Sequence, residues 1–202
     1  MKTPDETIGR LFVYLRALLC LAEQGVKTVS SARLGDLCAV KSSTTRKDLS
    51  YFGGFGKRGV GYDVQGLIKE IRSILNLDKL LKAALVGVGN IGKALLLYPG
   101  LKREGFEIAL AFDEDKEKVG QKLNGVVIED IANLERRVKE EGVKLGIVAV
   151  PVPAAPGIAE RLAKAGVKAI LSFAPCPLNM PEDVKVTCVD LATEMARLVY
   201  YL

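Results

Sequence analysis

The chain reads as an α/β protein in two parts: a helix-turn-helix module, then a longer run of alternating strands and helices that builds a mainly parallel sheet. Three observations predict this. Apolar residues recur at helical spacing as far as Asn76. From Lys82 the rhythm changes to continuous apolar strands separated by amphipathic helices, the pattern of a parallel sheet buried on both faces. The positive charge is also uneven: residues 1–76 carry 12 lysines and arginines against 7 acids, and the remainder carries 17 of each.

Within the first part, Ile8, Leu11, Phe12, Leu15, Leu18 and Leu19 define one face of a helix from Thr7 to Gln24, and Gly25 stops it. Ser30 or Ser31 caps a short helix through Leu34 and Leu37. Ser42 or Ser43 caps a third, running to about Phe52, with Leu49 and Phe52 facing inward. The glycines at 53, 54, 56, 59 and 61 forbid its continuation, since each costs about 1 kcal/mol relative to alanine in a helix. Their alternation with Phe55, Val60 and Tyr62 suits a two-stranded ribbon instead. Asp63 then caps a helix containing Leu67, Ile68, Ile71 and Leu75. Helices, ribbon and linker helix together describe a winged-helix (helix-turn-helix) domain over 1–76.

In the second part, strand "AALVGVG" leads into a helix from Asn90 to Leu97, ended by Pro99 and Gly100. "FEIALAF" and "GVVI" are strands, "NLERRVKEE" a helix, "LGIVAV" a strand, Gly157 to Ala165 a helix, and "KAILSFA" and "VKVTCVDL" the last strands. Between the first strand and its helix stands Gly87-Val88-Gly89-Asn90-Ile91-Gly92, a G-x-G-x-x-G in the context of a dinucleotide-binding turn. Gly87 permits the tight turn, Gly89 lets the backbone approach a pyrophosphate, and Gly92 lets the helix pack closely on the sheet. The helix N-terminus supplies amides and a favourable dipole for phosphates. Asp113 ends the second strand about 20 residues later, placed to accept hydrogen bonds from an adenosine ribose and to disfavour a 2′-phosphate. Residues 77–186 therefore read as a Rossmann dinucleotide-binding domain. Pro151 and Val152, and "SFAPCPLN" after the next strand, lie at strand carboxyl ends, where they either border a nicotinamide or only turn the chain.

Composition narrows the function. With 202 residues, 49% hydrophobic and 26% charged, the chain is a folded protein. It contains no histidine, the commonest general base near neutral pH, and no evident acid-base pair for hydride transfer. A small NAD-dependent dehydrogenase, the alternative from a different class, is disfavoured on that ground and by the lack of room for a substrate domain. Cys20, Cys38, Cys176 and Cys188 have no C-x-x-C spacing and read as reduced, mostly packed thiols, with no metal site. No apolar run is long enough to span a membrane, and acids occupy the N-terminal stretch, so a cytoplasmic location is expected. The basic excess of the first part points to a polyanion. Arg46 and Lys47 on a helix suit a major groove, and Lys57 and Arg58 on a glycine-rich ribbon suit an adjacent minor groove.

The ordered motifs "RKDLSYFGGFGKRGVGY", "ALVGVGNIGKAL", "YPG", "FDED", "AVP", "FAP", "VDLATE" and the closing "YYL" make the whole chain resemble the Rex family of redox-sensing transcriptional repressors. That resemblance implies a non-catalytic homodimer that binds double-stranded operator DNA and lets go when NADH occupies the Rossmann site. NADH and NAD would then be regulatory ligands. It implies a DNA-reading helix with Ser43, Thr44, Arg46, Lys47, Ser50 and Tyr51, and a wing over Gly53 to Tyr62 with Lys57 and Arg58. It puts the pyrophosphate at Gly87 to Gly92, the ribose at Asp113, and the nicotinamide near Tyr98, Pro151, Phe173 and Ala174. It implies an interdomain switch of Arg16, Tyr98 and Asp190, and a last helix within 187–202 that exchanges between subunits. The chain departs from the family pattern at Phe12, Gly54 and Ser172. A repressor answering to coenzyme A or another nucleotide remains the nearer alternative.

Overall fold

The structure, a computed structural model, describes residues 4–57 and 60–200. Arg58, the Lys57 side chain and the final two residues of the "YYL" motif lie outside the described residues. The chain divides into two compact units between Lys79 and Leu80.

The first unit contains α1 (Asp5–Glu23), β1 (Thr28–Val29), α2 (Ser31–Leu37), α3 (Ser42–Ser50), β2 (Gly56–Lys57), β3 (Gly61–Asp63) and α4 (Val64–Ile74). The helical spacing read from sequence places Leu11, Leu15 and Leu18 of α1 in the core, joined by Tyr14, and α1 packs on α4, which buries Val64, Leu67, Ile68 and Ile71. Gly25 ends α1 with φ +73°. Two caps form as their chemistry dictates: Ser30 accepts from the Arg33 amide, and Asp63 from the Gly66 amide at 2.6 Å. The third cap differs. Lys41 occupies the N-cap of α3 without a side-chain bond, and Ser42 and Ser43 lie inside the helix. The ribbon also gains a strand. Val29, just before the cap of α2, pairs with Tyr62, giving a sheet of order β1-β3-β2.

The second unit contains β4 (Leu81–Val86), α5 (Asn90–Leu97), α6 (Gly100–Arg103), β5 (Phe106–Asp113), β6 (Lys122–Leu123), β7 (Val126–Asp130) and a 3-10 turn (Ile131–Asn133). It continues with α7 (Leu134–Glu140), β8 (Leu145–Val148), α8 (Ala155–Lys164), β9 (Ala169–Ser172), β10 (Lys185–Cys188) and α9 (Leu191–Val199). The sheet order is β10-β9-β8-β4-β5-β7-β6, parallel except for the edge strand β6. Residues of β4 alternate between the two cores: Ala84 and Val86 join Phe112, Leu134 and Leu162, and Ala83 and Leu85 join Ile108, Leu96 and Ile128. Strand β6 was not foreseen, although Asn124-Gly125, both with positive φ, forms the two-residue hairpin loop that this dipeptide favours. Helix α8 begins earlier than expected, with Pro156 tolerated in its first turn. The cysteines are free, but Cys20 and Cys188 are exposed rather than packed. Every residue of α9 is exposed, including Leu191, Met195, Leu198 and Val199.

Candidate nucleic-acid face and nucleotide cleft

Helix α3 has two distinct sides. Ser43, Arg46, Lys47 and Ser50 are exposed at positions i, i+3, i+4 and i+7, one helical face, whereas Thr45, Asp48 and Leu49 are buried. Thr44 is half-buried, and Tyr51 at the C-cap is exposed. The Arg46 guanidinium donates to Ser31 Oγ at 3.0 Å and borders a cleft of ≈ 550 Å³ lined also by Ser50, Phe55 and Tyr62. Gly35 makes the helix-turn-helix corner possible: a Cβ there would lie 2.4 Å from the Val40 carbonyl oxygen. In the wing, the Gly56 backbone faces Tyr62, whose ring would meet a Cβ at 2.8 Å.

Asp48, which follows Arg46 and Lys47 on α3, is 1% exposed. Its carboxylate accepts from Arg10 Nε at 2.6 Å, Arg10 Nη2 at 2.9 Å, Tyr14 Oη at 2.8 Å and Thr7 Oγ1 at 3.2 Å. Burial opposes its charge, but the bonds from Arg10, Tyr14 and Thr7 prevail and hold the carboxyl below the usual range. Burial, aided by the neighbouring carboxylate, pushes the Tyr14 hydroxyl up to about 12.

The nucleotide cleft forms where β4 ends. Gly87 has φ +92°, and a Cβ on it would meet the Ala149 carbonyl oxygen at 2.5 Å. At Gly92 a Cβ would fall 2.1 Å from the Gly87 oxygen, the close helix–sheet approach expected of the third glycine. A Cβ on Gly89 would meet nothing within 4 Å and would project into open space. Gly89 is the N-cap of α5 and brings no side-chain bond to it, an arrangement whose first-turn amides suit an anion. The adjoining cleft of ≈ 380 Å³ is lined by Gly87, Gly89, Asp113, Lys118, Pro151 and Ile158, among others.

Asp113 is 6% exposed. Its Oδ2 accepts from the Val88 amide at 2.7 Å and from Lys118 Nζ at 3.2 Å, and its Oδ1 from the Asp115 amide at 2.9 Å. Burial again opposes ionisation, and the two amides and Lys118 outweigh it, keeping the carboxyl below its ordinary value. The side chain thus clamps the glycine turn as well as facing the cleft. Lys118, which sequence reasoning passed over, also pairs with Asp115 at 3.4 Å.

The other expected ligand positions are dispersed. Val88 is buried, and Asn90 and Ile91 are exposed at the start of α5. Tyr98, 53% exposed at the C-cap of α5, lines a separate cleft of ≈ 480 Å³ with Leu101, Lys102 and Asn124. Phe173 is half-buried against the core, and Ala174 is buried, its amide accepted by Ser172 Oγ at 3.2 Å. Arg16 is exposed on α1 with its guanidinium 5.4 Å from the centre of the Phe12 ring. Asp190 caps α9, accepting from the amides of Ala192 and Thr193 and from Thr193 Oγ1 at 2.6 Å. Among the described residues no three His, Cys, Asp or Glu side chains gather to hold a metal, and no helix is long and apolar enough to cross a membrane.

Comparison with known proteins gives a consistent set of likenesses. Residues 78–176 match the family described as "CoA binding domain" and residues 2–50 that described as "Putative DNA-binding protein N-terminus". The chain is 47% identical over 199 residues to the redox-sensing transcriptional repressor Rex of Chloroflexus aggregans, covering 98% of this chain and 94% of that protein. It is 43% identical over 202 residues to the Rex of Lactobacillus acidophilus, covering 100% and 96%. Among solved structures, RSP in complex with β-NAD+ and operator DNA aligns with TM-score 0.92 and 34% identity, over 100% of this chain and 93% of that one. RSP in complex with β-NADH aligns with TM-score 0.88 and 32% identity, over 100% and 94%.

Proposed function

Starting from the fact that this chain belongs to the Rex family of redox-sensing transcriptional repressors, we propose that it binds operator DNA under the control of NADH and NAD. It is a repressor and not an enzyme. The observation that carries this reading is a pair of complementary surfaces on one chain: the cationic outer face of α3 and the uncapped, unobstructed glycine turn before α5.

In this reading the domain over 1–76 holds the DNA contacts. Arg46 reads base edges, Ser43, Thr44, Lys47, Ser50 and Tyr51 border the groove, and Lys57 and Arg58 extend the contact through the wing. The domain over 77–186 holds the dinucleotide. Gly89 and the first amides of α5 take the pyrophosphate, and Asp113 takes the adenosine ribose. The bound dinucleotide supplies a nicotinamide ring whose charge depends on its redox state. NADH and NAD share their phosphates and riboses, so discrimination falls to the nicotinamide end, assigned to Tyr98, Pro151, Phe173 and Ala174. The exposed apolar residues of α9 are covered by a second copy of the chain, making the homodimer, and the protein works in the cytoplasm.

A ligand changes DNA affinity only by its different affinity for the two placements of the domains. Arg16, Tyr98 and Asp190 are the residues assigned to that difference. Because Asp190 also caps α9, the informative variant is Asp190→Asn, which keeps a capping acceptor and removes the charge. The test is a titration of NADH, NAD, NADPH and coenzyme A against the protein bound to a candidate operator duplex. Coenzyme A belongs there because of the match over 78–176. NADH is expected to release the duplex, with the coupling weakened in Asp190→Asn and Tyr98→Phe. An operator affinity indifferent to NADH and NAD would refute the reading, and release by coenzyme A alone would replace the ligand.

A further inference from the structure

Helix α3, sequence SSTTRKDLS, has one large buried apolar residue, Leu49. A single apolar anchor sets the depth of a short helix but leaves its rotation about its own axis weakly determined, because apolar burial is non-directional. Beside the exposed bond from Arg46 to Ser31, the densest set of directional contacts comes from Asp48, whose buried carboxylate receives four hydrogen bonds from Thr7, Arg10 and Tyr14 on α1. The two from Arg10 reach different oxygens, a fork-on-fork arrangement that fixes the orientation as well as the distance. Asp48 neighbours Lys47 and is two residues from Arg46, so its azimuth determines where both cations point.

We infer that Asp48, with Arg10 and Tyr14, is a positioning device for DNA reading: it sets the rotation of α3 so that Ser43, Arg46, Lys47 and Ser50 share the outward face. The inference rests on the proposed role of α3 in reading DNA. It adds that sequence discrimination depends on a buried carboxylate that touches no nucleic acid. It also makes α1, which carries Arg16, the element to which the reading helix is tied.

The experiment compares wild type, Tyr14→Phe and Asp48→Asn as full chains. Each is measured below its own unfolding midpoint for affinity to an operator duplex and to a random duplex over a salt series, and for NADH affinity. Asp48→Asn removes a buried negative charge from beneath the cationic face of α3, so its random-duplex affinity should not fall. Its operator affinity should drop about tenfold or more, the scale of one lost base-specific contact. Tyr14→Phe, a milder change that keeps the Arg10 fork, should shift the operator-to-random ratio in the same direction by less, and NADH affinity should hold in both. Variants that melt earlier yet keep the wild-type ratio would overturn the inference, leaving Asp48 a stabilising residue only; Tyr14→Phe decides if Asp48→Asn does not fold. A wild type without preference for the operator would instead remove the underlying reading.

Discussion

Arg10 on α1 and Asp48 on α3, 38 residues apart, form a two-pronged ion pair, with Nε 2.6 Å from Oδ2 and Nη2 2.9 Å from Oδ1. The carboxyl side is buried and the guanidinium is partly exposed. The folded-state pKa of Asp48 is depressed, so its stabilisation is present above the ordinary carboxylate value and is lost as the pH falls through the folded-state value. The first unit should therefore destabilise on acidification. Breaking a buried pair from one side costs about 3–5 kcal/mol, and removing one bond to a charged acceptor about 1.5–3 kcal/mol. Urea unfolding across a pH series should show Asp48→Asn weakened and less acid-sensitive than wild type, and Tyr14→Phe intermediate in stability.

Two glycines in the same unit should respond oppositely to alanine. At Gly35 the new Cβ meets the Val40 carbonyl oxygen, and overpacking of this kind costs about 1–3 kcal/mol. At Gly9, within α1, it meets nothing within 4 Å, and relief of the glycine penalty should stabilise the helix by about 0.5–1 kcal/mol. Thermal midpoints of the two variants check the pair.

The glycine turn permits a similar separation of folding from binding. Gly92→Ala drives a Cβ into the Gly87 oxygen and should lower stability and NADH binding together. Gly89 has φ −79° with open space beyond it, so the fold of Gly89→Ala should persist while the methyl group occupies the proposed approach of the pyrophosphate. Calorimetric NADH titration beside thermal melts should show binding lost from an intact Gly89→Ala protein.

Asp113 holds the glycine turn and, in the proposed reading, also takes the adenosine ribose, two tasks that substitution can divide. Alanine removes the acceptor for Val88 as well as the ribose acceptor, so NADH affinity should fall by more than the about 1.5–3 kcal/mol of one charged hydrogen bond. Asparagine retains a carbonyl acceptor for the turn and removes the charge. Asp113→Asn should therefore narrow the preference for NADH over NADPH with a smaller loss of NADH, which parallel titrations of both nucleotides measure.

On α3, Arg46 and Lys47 should separate into reader and positioner. Arg46→Ala should relax base discrimination by about 1–3 kcal/mol. Lys47→Ala should weaken all duplexes alike and reduce the salt slope by about 1. Binding to a panel of single-base operator variants at several salt concentrations distinguishes these outcomes.

Local chemistry made much of this protein legible before its structure. Helical spacing chose Leu11, Leu15 and Leu18 for the core, hydroxyl and carboxylate caps marked Ser30 and Asp63, and the glycine turn announced its strand and helix. These signals act within a few residues, so sequence determined them by itself. The pairing of Val29 with Tyr62, the clamp from Asp113 to Val88 and the burial of Asp48 were decided only by tertiary packing. Each joins groups distant along the chain, and no neighbouring residue records the partner. A carboxylate among lysines and arginines reads the same whether solvated or buried; in Asp48 it was the approach of α1, bringing Arg10 and Tyr14, that made burial of the charge possible.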